Sequence, residues 1–235
     1  MSTKNTEIIA NEYSANGKII TFNKPLVMAI VNATPDSFYD GGKYSSAEDV
    51  LRDVEEKLNL GADIIDIGAA SSRPYAEEIH PDEEWVRLKK ILPEVRKKFP
   101  KALISVDTYR SEIAERSAKE GADIINDIGG GTLDKNMFKT VAKLNLPYIL
   151  MHIQGTPQSM QDEPSYNNVS QDVKIELGNR IRELHSLHFN KIIVDPGFGF
   201  GKNLEHNFQL LRDLSTLCDL GYPVLAGVSR KGMIN

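Results

Sequence analysis

A single cysteine, Cys218, stands in the 235 residues, so no internal disulfide can form. It lies among Leu214, Leu217 and Leu220 at helical spacing, which predicts a buried structural thiol rather than a nucleophile. Long apolar runs are missing too. Nothing approaches the ~20 residues of a membrane span, and no apolar stretch follows the opening Met1-Ser-Thr-Lys-Asn-Thr-Glu7 as it would in a secretion signal. A cytoplasmic protein with no membrane association is expected. Positive charge is not in surplus: 28 Lys and Arg face 33 Asp and Glu, for a net charge of −5. The basic residues are scattered, which removes the electrostatic case for a nucleic-acid partner. The densest group, Arg96-Lys97-Lys98, falls at the end of a helical stretch and reads as a solvated face that suits a helix C-terminus.

What is present is 40% apolar residues, enough to exclude a disordered chain and to build one large domain over residues 1–235. Short apolar runs at 26–31, 64–67, 103–106, 124–126, 148–151, 192–194 and 224–228 predict strands. Amphipathic stretches at 47–60, 81–99, 111–120, 135–144, 170–188 and 204–219 predict helices between them, with Gly61, Gly121 and Gly221 where helices should stop. Such alternation means a parallel sheet. The chain also echoes itself: Gly61-Ala-Asp-Ile-Ile-Asp66 returns as Gly121-Ala-Asp-Ile-Ile-Asn126. Units of about 30 residues fit a TIM (β/α)₈ barrel; a doubly wound open sheet is the structural alternative. The barrel is favoured because no Gly-x-Gly-x-x-Gly fingerprint follows the first strand and because polar residues end nearly every strand. Residues 8–24, with Asn16-Gly17 as a turn signal, predict a hairpin that could plug the barrel's bottom.

The strand tips carry Asn32; Asp66, with Ser71-Ser72-Arg73-Pro74 after it; Asp107-Thr108; Asn126-Asp127; Met151-His152; Asp195; and Ser229-Arg230-Lys231. A lone tip carboxylate is ordinarily an N-cap or a loop hydrogen-bonder. Together these residues would converge on one mouth, where burying them is costly unless a polar ligand pairs with them. Carboxylate, carboxamide and ammonium groups suit a flat heterocycle with an amide edge and an amino group, such as a pterin or purine. Phe200 and Met151 could cover its faces. The stretch Asp195-Pro-Gly-Phe-Gly-Phe-Gly-Lys202 is not a phosphate loop, since Pro196 and Asn203 break that pattern. It reads as a flexible turn holding Asp195 at a strand tip, with Phe198 or Phe200 available for stacking. His185 and His188, at i and i+3 without facing carboxylates, read as surface residues rather than a metal site, and Trp85 as helix packing.

In this order the motifs resemble dihydropteroate synthase: Asn32 with Thr34-Pro-Asp-Ser-Phe38 and Asp40-Gly-Gly42, Ser71-Ser-Arg-Pro74, Asp107-Thr-Tyr109, Ile125-Asn-Asp-Ile128, Met151-His152, Asp195 to Lys202, and Ser229-Arg-Lys231. The resemblance implies a TIM barrel and a transferase of folate biosynthesis that joins p-aminobenzoate to a dihydropterin methyl diphosphate with release of pyrophosphate. Carried over by position, Asp107, Asp195 and Lys231 would be catalytic. Asp107, Asn126, Ile128, Met151, Asp195, Phe200, Gly227 and Lys231 would hold the pterin. Ser72, Arg73, Pro74 and Ser229 would hold p-aminobenzoate, and Asn32 would lie at the diphosphate and its Mg²⁺. The loop from Asn32 to Gly42 would be a mobile cover. A homodimer in the full-length form is implied as well.

Three departures from that pattern stand in the sequence. Ser72 replaces the family's usual Thr, keeping the hydroxyl. Tyr75 follows Arg73-Pro74 where the family usually has Gly. The strand count stops after a seventh strand, so a barrel lacking its eighth βα unit, and with it the family's Arg-x-His motif, is expected. The alternatives that this leaves are a catalytically impaired pterin-binding fragment and a pterin-binding methyltransferase relative.

Overall fold

A computed structural model describes residues 12–33, 47–70, 78–160 and 164–234. The described chain opens with an antiparallel hairpin, β1 (Glu12–Ala15) and β2 (Lys18–Thr21). Asn16 and Gly17 turn it with φ of 47° and 76°. Two successive left-handed residues make the turn whose twist matches the strands it joins, and Asn-Gly is the pair that adopts it most easily.

Parallel strands follow: β3 (Met28–Asn32), β4 (Ile64–Gly68), β5 (Leu103–Asp107), β6 (Ile124–Asp127), β7 (Tyr148–Met151) and β8 (Ile192–Asp195). The helices α1 (Ala47–Asn59), α2 (Pro81–Lys98), α3 (Ser111–Lys119), α4 (Met137–Leu144) and α5 (Val169–Ser186) connect them. Last come α6 (Leu204–Arg212) and a 3₁₀ helix over Leu214–Leu220. The sheet of 6 strands runs β3-β4-β5-β6-β7-β8, strictly in chain order. A doubly wound sheet reverses its order at a switch point. No reversal occurs here, so the structure takes the barrel alternative.

Side chains alternate across each strand. Ile65, Ile67, Ile104, Val106, Ile125 and Leu150 are fully buried against the helices. Ile64, Ile124, Ile149 and Ile193 face inward at the strands' entrances, where Tyr13, Ala15 and Ile20 of the hairpin pack on them. The Tyr13 hydroxyl donates to the carbonyl of Ile192 at 2.8 Å. The hairpin therefore does plug the bottom. The sequence echo has a structural meaning at the same end. Asp63 accepts from the backbone N–H of Val27 at 2.9 Å, and Asp123, its counterpart, from that of Ile104 at 3.0 Å. Each repeat uses its Asp to tie its own strand's entrance to the preceding strand.

Four expectations are corrected. The segment 224–228 forms no ladder: Val224 makes an isolated parallel bridge to Val194. The chain then bends, with the Val228 N–H donating to the Ala226 carbonyl at 3.1 Å. The helix expected over 204–219 breaks at Asp213, whose carbonyl accepts from both the N–H and the hydroxyl of Thr216. Its continuation is a 3₁₀ helix with three residues per turn, so Leu214, Leu217 and Leu220 share one face. Cys218 lies off that face and is exposed, not buried. Arg96 is no solvated residue either. Its guanidinium donates to the carbonyls of Gly121 and Ala102 and pairs with buried Asp123, while Lys97 and Lys98 are exposed. Two further expectations about single residues hold. His185 and His188 are exposed, and Trp85 packs in the helix layer with the Arg116 guanidinium over its ring.

Candidate active site

Two hollows of about 490 and 570 Å³ lie at the hairpin end, lined in part by Lys18, Arg96 and Asp123. Those charges already pair with one another, so the chemistry is to be found at the other end of the strands. The same alternation that sends isoleucines inward at the bottom sends Asp66 and Ser105 inward one layer up, and Asn32, Gly68, Asp107, Asn126, Met151 and Asp195 inward at the tips. Register puts Asn32 beside Gly68, Gly68 beside Asp107, and Asp107 beside Asn126. Met151 is the partner of Asp195 on the far side. Gly68 leaves the room between them: a Cβ there would stand 3.4 Å from an Asp107 carboxylate oxygen and 3.8 Å from the Asn32 side-chain oxygen.

Asp195 is 7% exposed, and its Oδ1 accepts from the Gly197 N–H at 2.7 Å. Burial pushes its carboxyl up to about 6, against the pull of that N–H, Lys231 and Lys202. Asp107 is held well above the usual carboxylate range by burial and by the nearby acids Asp66, Glu84 and Asp127, with Lys231 opposing. Burial lowers Lys231 in turn, while Asp195 and Asp107 support its charge. Its Nζ lies 4.2 Å from the centroid of the Phe200 ring, a cation–π contact that seats the ammonium group. Gly227 flanks Asp195, a Cβ there lying 3.9 Å from Oδ2. Ile128 and Met151 are buried together with Ile153 and Met160 as an apolar wall, against which Phe200 and Tyr109 pack.

The loop from Asp195 to Lys202 is not the flexible turn expected, because its own backbone is bonded to Asp195 and Lys202. At Gly197, φ is 68°, and a Cβ would fall 2.0 Å from the His152 carbonyl, so only glycine fits. Lys202 is 2% exposed, and its Nζ donates to the carbonyls of Gly197 and Phe200 at 3.0 and 2.9 Å. It also lies 3.0 Å from His152 Nδ1, which must accept from the ammonium. That fixes the tautomer: Nε2 carries the proton and donates to Glu176 at 2.9 Å. Burial draws Lys202 down to about 7 and His152 down to about 4.

Asp127 takes the ordinary loop-holding role, accepting from the N–H groups of Gly129 and Gly131 and from the Tyr148 hydroxyl. Sequence reasoning missed Arg110 and Glu84. The buried Glu84 on α2 accepts from Thr108 and pairs with Arg110, whose other nitrogen reaches Glu78 and the Ile79 carbonyl. This anchors the chain just after Ser72, Arg73 and Pro74. Those three residues, Tyr75 and the loop from Thr34 to Gly42 lie outside the described residues. Ser229 is exposed two positions before Lys231.

Buried and half-buried carboxylates, a carboxamide and an ammonium stand beside an apolar wall at the tips of a sequentially ordered parallel sheet, a set of donors and acceptors that suits a flat polar heterocycle. The chain belongs to the pterin binding enzyme family, whose profile matches residues 28–235. Within that family its likeness is to dihydropteroate synthases. It is 45% identical over 222 residues to the dihydropteroate synthase of Haemophilus influenzae, covering 94% of this chain and 80% of that one. It superposes on the Yersinia pestis dihydropteroate synthase solved with a sulfonamide drug complex with a TM-score of 0.89 and 39% identity, over 95% of this chain and 81% of that one. The Xanthomonas albilineans dihydropteroate synthase in complex with 7,8-dihydropteroate matches at a TM-score of 0.82 and 35% identity, over 95% and 79% of the two chains.

Proposed function

We propose that this site joins p-aminobenzoate to a dihydropterin methyl diphosphate, giving 7,8-dihydropteroate and pyrophosphate, a transferase step of folate synthesis. The observation that supports this reading is the convergence of Asp107, Asn126, Asp195 and Lys231 at the tips of the strands. The carboxylate of Asp195 accepts from the pterin ring's N–H and amino groups, Asp107 and Asn126 pair with its remaining polar edge, and Lys231 donates to a ring acceptor. Ile128, Met151, Phe200 and Gly227 enclose the ring. Ser72, Arg73, Pro74 and Ser229 receive p-aminobenzoate.

Departure of pyrophosphate leaves positive charge on the pterin's methylene carbon. Carboxylates bonded to the ring's N–H groups push electron density toward that carbon. The aromatic amine then attacks without a strong base, so positioning and electrostatics carry the rate. Among the described residues no group of three or more His, Cys, Asp or Glu side chains could hold a metal ion. Asn32 still fits Mg²⁺, which takes a few protein oxygens and completes its shell with water and substrate phosphate. Bound there, the ion would offset the leaving group's charge. No helix among the described residues is long and apolar enough to cross a membrane; a cytoplasmic homodimer belongs to the same reading.

The test is pyrophosphate release from the pterin diphosphate with and without p-aminobenzoate. Release that requires the amine supports the transferase. Tight pterin binding without release would favour a binding protein instead.

A further inference from the structure

Asp66 lies one layer beneath the strand-tip residues Asp107 and Asn126. It is the middle residue of β4, with Ile65 and Ile67 turned to the helices, and it is 3% exposed. Its Oδ2 accepts from the Asn126 side-chain amide at 3.1 Å. Its Oδ1 and the hydroxyl of Ser105, its register partner on β5, face each other in the same buried layer and have no further partner among the described residues. A buried carboxyl group placed this way is costly, and the core packing gives no reason for it, because leucine or isoleucine would fill the layer at less cost. We propose that Asp66 is a positioning residue: its carboxyl group holds the Asn126 carboxamide nitrogen down into the barrel, leaving the amide oxygen and the second N–H for the ligand.

The arrangement has an electrostatic side. Asp66 is a neighbouring acid that raises Asp107, together with Glu84 on α2 and Asp127 on β6, while Lys231 acts oppositely. Asp66 is itself raised by burial, with Ser105 and Asn126 opposing. Asp66 raises Asp195 as well, so removing its acidity while keeping its oxygen would lower both Asp107 and Asp195 and leave Asn126 in place. The two functions can be separated by two substitutions. The inference rests on the pterin reading for its ligand, and its test keeps the two apart.

In Asp66→Ala the acceptor is gone. Pterin affinity measured by calorimetry should fall about tenfold, the usual scale for orphaning a buried amide, while the affinity for p-aminobenzoate holds. In Asp66→Asn the amide oxygen still accepts. Pterin affinity at pH 8 should stay within about threefold of wild type, and the acidic limb of the affinity profile should move to lower pH. Without any ligand, the Asn126 side-chain amide protons seen by NMR should be protected from exchange in wild type and Asp66→Asn, and unprotected in Asp66→Ala. A folded Asp66→Ala with unchanged pterin affinity and an unchanged Asn126 signal would overturn the proposal, as would an unmoved limb in Asp66→Asn. If Asp66→Ala does not fold, the limb of Asp66→Asn decides alone. If the wild type binds no pterin, the pterin reading fails by itself, and the Asn126 signals still decide the role of Asp66.

Discussion

Asp195 shows how a single side chain is tuned by where its strand ends. The inward side of β8 places it in a dry layer, where burial alone would favour the neutral acid. The Gly197 N–H and the two nearby lysines pull the other way, leaving it near 6. The ionised form accepts two N–H bonds from a pterin edge; the protonated form accepts fewer. Pterin affinity should therefore be flat above about pH 7 and fall by up to tenfold per unit below about pH 6, a profile that calorimetry between pH 5 and 8 would trace. Constant affinity over that range would remove Asp195 from ligand binding. The identity of this residue was legible in the sequence, because Asp195-Pro-Gly follows a β-branched run. Its ionisation was not, because that depends on Lys202 and Lys231, which reach it only through the folded loop.

At the scale of elements, the loop between β8 and α6 depends on a buried cation. The Lys202 ammonium is satisfied by two carbonyls and His152 Nδ1. Lys202→Met would fill similar volume and leave those acceptors unpaired, with an expected loss of about 3 kcal/mol by urea denaturation. A loss under about 0.5 kcal/mol, the ordinary range for an unimportant surface change, would show that the glycine conformations hold the loop without the lysine. Element boundaries were legible where periodicity and glycine stops agree, as at α1 and α3. They failed where local bonding changed the helix type. The 3₁₀ turn at Asp213 exposes Cys218 although its leucine neighbours pack, because a repeat of three places residues that a repeat of 3.6 would rotate. The failure at 224–228 has a different cause: an apolar run marks a segment able to pair, and pairing here ends after Val224.

Over the whole molecule, the N-terminal hairpin is tied to the entrance of β8 by the Tyr13 hydroxyl and by Lys191, whose ammonium donates to Ser14. Tyr13 reaches Ile192 across the barrel bottom, and the hairpin covers four inward isoleucines that would otherwise meet water. Tyr13→Phe keeps the ring and removes the hydroxyl, so unfolding free energy should drop by about 1 kcal/mol with pterin affinity unchanged; a loss of affinity would mean that the plug communicates with the mouth. Sequential strand order could not be read directly from the alternation of strands and helices, which a doubly wound sheet shares. The echo of Asp66 in Asn126 was visible as a repeat, but their hydrogen bond was not, since a repeat gives spacing along the chain and says nothing of two side chains meeting over the strand between theirs.

The most direct measurement of the account is calorimetric titration of a dihydropterin into wild type and Asp195→Asn. The variant keeps an oxygen for the Gly197 N–H, so its thermal unfolding should match that of wild type. Wild type should bind, and the variant should bind at least roughly a hundredfold more weakly, since a charge-assisted pair of hydrogen bonds is lost. Equal affinity in two equally folded proteins would contradict the assignment of this strand-tip constellation as the pterin site.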